Sequence, residues 1–259
     1  MSKAVTTPLE QHNLEIRENL RSWEAKPLLR HIYGDFYQRI VGLMDRSLEG
    51  RILEIGSGIG NLKSRVPEAI SSDLFPNPWL DLVCDGYDLP FKDGSLSHLI
   101  LFDVFHHLEA PVAFLNEARR ALQPNGRVII FDPCISLASW PVYGLLHHEP
   151  VGWSTRINFS EGFPPPRNYY AAQGNATRLF FRNHFPGWLP GWRVKQAEAF
   201  SAFSYLFSGG FSKPAMYPAF AYPLLKGLDG LLSAAPRLFA ARCLVALEPS
   251  ASAVGSSQG

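Results

Sequence analysis

Glu54, Gly56, Gly58 and Gly60 are the residues whose types and spacing most clearly point to chemistry. The apolar run Ile52-Leu53-Glu54-Ile55 ends in Gly56-Ser57-Gly58-Ile59-Gly60, which reads as a buried parallel strand, a tight turn and a helix start. Glycines there can take positive φ and have no Cβ to hold a ligand off the backbone. A strand-to-helix turn of this kind presents free N–H groups and the positive end of a helix, where a carboxylate or phosphate fits. The G-x-G-x-G spacing departs from the G-x-G-x-x-G of dinucleotide binders. Glu54, an acid beside the turn, favours a ligand that also carries a cationic amine. A bare strand–helix junction would give the same three glycines, so the turn alone leaves both readings open.

Acids recur at later strand ends. Strands are expected at Ala69–Asp73, Leu80–Asp85, Ser97–Phe102 and Arg127–Phe131, followed or closed by Asp73, Asp85, Asp103 and Asp132. A lone Asp there is ordinarily a helix N-cap. A series of them after a glycine-rich first turn lies where open α/β sheets bind ligands, beyond the carboxyl ends of the strands. The pairs His106-His107 and His147-His148 could hold protons near neutral pH. Neither pair has metal-ligand spacing, and adjacent side chains on a helix diverge, so no metal site is expected.

The elements that position these residues alternate strand and connection from 51 to 132, which predicts a parallel sheet with helices on both faces. Ahead of it, Leu29, Ile32, Tyr33, Phe36, Ile40 and Leu43 have helical spacing after Pro27. That helix packs on the sheet, or holds His31, Tyr33 and Tyr37 over the site as part of a lid. Past residue 133 helices are expected at Ile135–His148, Asn175–Phe185 and Tyr222–Leu238, and strands at Trp192–Phe203 and Ala241–Glu248. The chain reads as one domain: a helical lid over 1–50, a ligand-binding core over 51–133, acceptor-side elements and closing strands over 134–248, and a flexible tail over 249–259.

The 259 residues suffice for one sizeable core, and 18% charged with 46% apolar residues fits a globular chain. A net charge of +1 gives no reason to expect nucleic acid. Cys84, Cys134 and Cys243 lie in separate apolar runs, which suits buried thiols in a reducing compartment. With neither a secretory leader nor a membrane-spanning run in view, a cytoplasmic location is expected. The uncharged stretches within 199–225 could make a dimer contact or a peripheral membrane contact.

Taken together, residues 51–133 resemble the class I S-adenosylmethionine-dependent methyltransferases. Glu54-Ile55-Gly56-Ser57-Gly58-Ile59-Gly60 is similar to the family's first motif, Asp73 to its ribose-binding acid, and Asp85-Gly86 to the acid that meets the adenine amine. Phe102-Asp103-Val104-Phe105-His106-His107 resembles the segment after the fourth strand, and Pro124-Asn125-Gly126 the turn before the fifth. The resemblance implies a Rossmann-like, mainly parallel seven-stranded sheet with an antiparallel last strand. A helical N-terminal extension and an insertion before that strand complete it. The connection from Gly60 to Asp73 is short, so the first helix is truncated.

The resemblance also implies S-adenosyl-L-methionine as cofactor, leaving S-adenosyl-L-homocysteine. Glu54, Gly56, Ser57, Gly58 and Gly60 would hold its amino-acid end, Asp73 the ribose, Asp85 and Gly86 the adenine. Leu74, Phe102 and Asp103 complete the cofactor set. Methyl transfer needs alignment, exclusion of water and at most one base, for which His106 and His107 are the candidates. His31, Tyr33, Tyr37, His147, Tyr170 and Phe211 would face a small or lipid-like acceptor, methylated at oxygen. The aromatic residues of the second half could instead be core or an interface. A nucleotide-cofactor oxidoreductase and a non-catalytic cofactor-binding scaffold are the alternatives.

Overall fold

The structure, a computed structural model, describes residues 8–146, 151–160, 171–182, 184 and 187–250. Two helices open the chain, α1 (Pro8–Ala25) and α2 (Pro27–Leu43), each with proline at its start where a missing N–H costs nothing. Strands β1 (Arg51–Ile55), β2 (Ile70–Asp73), β3 (Leu82–Val83), β4 (Leu96–Phe102) and β5 (Leu122–Pro133) follow, with α3 (Pro111–Ala121) between the last two. The chain closes through β6 (Trp192–Phe200), α4 (Phe203–Phe207), α5 (Tyr222–Leu232), α6 (Pro236–Phe239) and β7 (Arg242–Pro249).

The seven strands form one sheet in the order β3-β2-β1-β4-β5-β7-β6. The first five are parallel, and β7 runs antiparallel to both β5 and β6. Alternate side chains point to opposite faces of a strand. Accordingly Leu53, Leu99, Leu101, Val128 and Ile130 pack with Phe114 and Leu115 of α3. Ile52, Ile100, Ile129 and Phe131 pack with Leu29, Ile32, Phe36 and Ile40 of α2. The helix predicted ahead of the first strand thus covers one face and α3 the other. The edge strand β6 carries exposed Arg193 and Lys195, which blunts further pairing.

Several predicted elements are shorter in the structure. The third strand shrinks to Leu82–Val83 because Asp81 places Oδ2 on the backbone N–H of Ser71, 2.8 Å away, where a strand would otherwise pair. The connection after Gly60 holds a single 3-10 turn, Asn61–Ser64, in place of a helix, as its length predicts. Among the described residues, five-residue π-helical turns stand at Val142–Leu146 and Thr177–Phe181, within the stretches where longer helices are expected. Pro141 stands at the start of the first and Gly144 within it. In the second, Arg178 turns its guanidinium onto the carbonyls of Gly152 and Thr155, 2.9 and 2.8 Å away.

Candidate active site

The glycine turn leaves β1 with Gly56, Gly58 and Gly60 all in the left-handed region, at φ 67, 54 and 69°. Their surroundings differ. A Cβ on Gly56 would fall 2.3 Å from Val104 Cγ2, so the turn is pressed against the loop that follows β4. A Cβ on Gly58 would meet only Ile16 Cδ1 of α1, at 3.5 Å. Ser57 is turned inward: its Oγ donates to the Glu54 carbonyl at 3.2 Å and accepts from the Ser72 N–H at 2.9 Å. The first strand end is thereby stitched to the second.

Asp73 brings the end of β2 to the same turn. Its Oδ2 accepts from the Gly58 N–H at 3.2 Å and its Oδ1 from Leu74 N–H at 2.7 Å. Leu74 is exposed beside it. Asp85 closes a small turn by accepting from the Tyr87 N–H at 3.1 Å, and Gly86 gives way to the Phe114 ring. Glu54 is buried, and its Oε2 has no hydrogen-bond partner among the described residues. Burial pushes its carboxyl up to about 8, opposed by a hydrogen bond from Ser57 and reinforced by the charge of Asp73. A cation at the turn would supply the missing partner, so the donor set fits a ligand carrying an ammonium group.

Beyond β4 the structure joins residues far apart in sequence. His106 Nδ1 lies 2.9 Å from Asp132 Oδ1 at the end of β5, and both side chains are buried. The second oxygen of Asp132 has no hydrogen-bond partner among the described residues, and burial holds this carboxyl above its ordinary range while His106 pulls it down. The His107 ring sits 4.2 Å from that of His106, centroid to centroid. Asp103 adopts φ 56° and forms an ion pair with Arg242, the first residue of β7, which is itself buried. The Arg242 guanidinium stands 4.5 Å from the Tyr205 ring centroid and 5.7 Å from that of Phe131.

An aromatic cluster surrounds this pair. Phe102 stacks on Phe131 with centroids 4.7 Å apart, and Tyr33 and Tyr37 approach Phe102 at 5.2 and 5.4 Å. Phe211 reaches Tyr33 at 5.3 Å. Of the expected acceptor residues, Tyr33, Tyr37 and Phe211 therefore meet, the two tyrosines as buried packing residues. His31 is exposed on the opposite side of α2, because one helical residue turns about 100° from the next. His147 and Tyr170 lie outside the described residues. Asp132 and Arg242 were missing from the expected site. Asp132 was visible as a strand-end acid, and Arg242 as a lone charge opening an otherwise apolar strand.

Residues 53–130 match the methyltransferase domain family. No curated protein matches the chain. Among solved structures, a SAM-dependent methyltransferase of Thermotoga maritima is similar over 91% of this chain and 99% of its own, at 16% identity and a TM-score of 0.50. The [4+2]-cyclase SpnF is similar over 83% of this chain and 81% of its own, at 14% identity and a TM-score of 0.50. At such identities the two structures speak for the fold, and the domain match speaks for the chemistry. On these grounds residues 53–130 carry a methyltransferase domain, set in a fold shared with a SAM-dependent methyltransferase of known structure.

Proposed function

We propose that the chain methylates a hydroxyl of a small or lipid-like acceptor, with His106 as the base and Asp132 as its orienter. The observation that carries this reading is the 2.9 Å contact between His106 Nδ1 and Asp132 Oδ1 in a buried setting, on the loop whose Val104 abuts Gly56. When bound, S-adenosylmethionine supplies an electrophilic methyl group on its sulfonium. Glu54 would hold the ammonium end as a carboxylate. Asp73 would hold the ribose hydroxyls and Asp85 the adenine amine. His106 withdraws the acceptor's proton as the oxygen attacks, and Asp132 fixes the ring and offsets the imidazolium charge. His107 lies beside it, its ring 4.2 Å away and tilted by 39°. Residues 1–50 act as a lid over a single domain, with Ile16 lying across the open side of Gly58.

Three buried free thiols, Cys84, Cys134 and Cys243, support a cytoplasmic setting. No described helix is long and apolar enough to cross a membrane. Exposed apolar residues near and within 199–225 support a peripheral contact there.

The test is incubation with methyl-labelled cofactor and a panel of hydroxylated and aminated small molecules and lipids. Label recovered in an ether or ester is the expected result. Label on nitrogen overturns the oxygen assignment. Tight binding of S-adenosylhomocysteine with no turnover on any member of the panel favours the scaffold alternative.

A further inference from the structure

We propose that the outward face of α5, together with the loop 137–146, seats the protein on the surface of an anionic bilayer, where a headgroup phosphate meets Arg237 and Arg182. The inference rests on the lipid-like acceptor above and says where that acceptor comes from.

The starting observation is that α5 is built inside out. Leu224 and Leu231 are each 76% exposed and Leu228 45%, while Phe220, just ahead of the helix, is 85% exposed. The spacing of Leu224, Leu228 and Leu231 places them on one stripe. The helix's one acid, Asp229, is instead buried. Its Oδ1 accepts from Ser201 Oγ and from Phe203 N–H, both at 2.7 Å, and its Oδ2 from Ser204 N–H at 3.0 Å. Those bonds cap the start of α4 and lock the rotation of α5. The leucines cannot turn inward without breaking all three, so the exposed stripe is a fixed property of the fold.

A second apolar edge borders the same segment. Leu137 and Ala138 donate to the carbonyls of Arg237 and Leu238, at 3.4 and 2.9 Å, and Lys213 Nζ reaches the Leu146 carbonyl at 3.3 Å. Leu137, Leu145 and Leu146 are all largely exposed. Where the edges meet, beyond the end of β5, a cleft of about 370 Å³ is lined by Trp140, Trp153, Arg182 and Arg237 among others. The Arg182 guanidinium stands 5.8 Å from the Trp153 ring centroid. Two guanidinium groups in one cleft with two indoles match a phosphate at the boundary of water and hydrocarbon.

Charge selects the occupant. From residue 213 to 240 the exposed charges are Lys213, Lys226 and Arg237, all positive, and Lys226 is met by Asp35 of α2 at 2.6 Å. An isologous contact with a second copy would set this cationic patch against itself. An anionic membrane surface complements it.

The experiment is sedimentation of the full chain with vesicles of phosphatidylcholine alone or mixed with phosphatidylglycerol. It is read without turnover, so it stands or falls separately from the methylation assay. Binding to the mixed vesicles is expected, and no binding to them overturns the proposal. The triple variant Leu224→Ser, Leu228→Ser, Leu231→Ser is expected to bind more than roughly tenfold more weakly, because each serine removes inserted apolar area. Arg237→Gln is expected to lower affinity for the mixed vesicles about fivefold and to leave neutral vesicles unaffected. Unchanged S-adenosylhomocysteine affinity establishes that both variants are folded. Wild-type binding by the triple variant overturns the proposal. So does a dimer in solution that the triple variant dissociates, which would assign the face to a second copy.

Discussion

His106 and Asp132 are 26 positions apart, yet Nδ1 and Oδ1 lie 2.9 Å from each other in a buried setting. The parallel pairing of β4 with β5 brings their carboxyl ends side by side and so creates the contact. A carboxylate on Nδ1 fixes the tautomer in which Nδ1 carries the proton and Nε2 the lone pair that takes one. Replacing His106 with Ala should lower kcat by roughly 10²- to 10⁴-fold, the usual worth of a general base. Asp132→Asn should lower it comparably by misorienting the ring. Neither should change S-adenosylhomocysteine affinity in calorimetry. A full rate in both variants would mean that the reaction needs no base at this position.

Glu54 should make the apo protein less stable as pH rises. Its carboxyl is held at about 8 in the folded chain against an ordinary 4.5. Between those values the folded state keeps a proton that the unfolded state has released. Stability therefore falls from about pH 4.5 to about pH 8 and is level above, by a total on the order of a few kcal/mol. Glu54→Gln should remove this component, so the difference in Tm between variant and wild type should widen in the variant's favour up to about pH 8. The same linkage applies to cofactor binding. An ammonium group placed on Glu54 expels its proton, so binding at neutral pH should release about one proton. Calorimetry in two buffers of different ionisation enthalpy would read it, and identical enthalpies would contradict it.

Gly56 and Gly58 should separate folding from binding. At Gly56 an added Cβ meets Val104 at 2.3 Å as well as left-handed strain, so Gly56→Ala should cost roughly 2–4 kcal/mol of stability. Adding Val104→Ala should recover the steric share. At Gly58 the added atom finds ordinary contact with Ile16, leaving about 1 kcal/mol of backbone strain. Gly58→Ala should stay folded and lose cofactor affinity. Denaturant midpoints and S-adenosylhomocysteine titration check both halves. Equal loss of stability at the two positions would refute the distinction.

How far these features could be read from the chain depended on whether they are local. The glycine turn, the acids closing β2 and the connection after β3, and the two faces of the parallel sheet come from short-range patterns, and the structure places them as those patterns predict. The partners of His106 and Asp103 do not. Asp132 and Arg242 reach them only through strand order, which no local pattern states. The π-helical turn at Thr177–Phe181 owes its form to Arg178 bonding to carbonyls more than 20 residues away. The orientation of α5 was hidden for a different reason. A helix on a protein surface ordinarily buries its leucines and exposes its acid, but here three hydrogen bonds from Ser201, Phe203 and Ser204 to Asp229 outweigh that preference.

Asp103 and Arg242 provide the sharpest test of a residue expected at the cofactor. Arg242 is 2% exposed, and among the described residues its Nε has no hydrogen-bond partner, so Asp103 is its main source of compensation alongside the Tyr205 ring. Removing one member of a buried ion pair strands the other in low dielectric, which typically costs about 3–5 kcal/mol. Asp103 keeps 29% of its side chain in solvent, so Asp103→Asn should fall at the lower end, near 3 kcal/mol by urea denaturation. The double variant Asp103→Asn, Arg242→Met removes the charge with its partner and fills similar volume, so it should recover most of that loss. If Asp103 chiefly holds Arg242, S-adenosylhomocysteine affinity should survive in the double variant. A loss of affinity in both variants, with stability little changed, would instead return Asp103 to the cofactor.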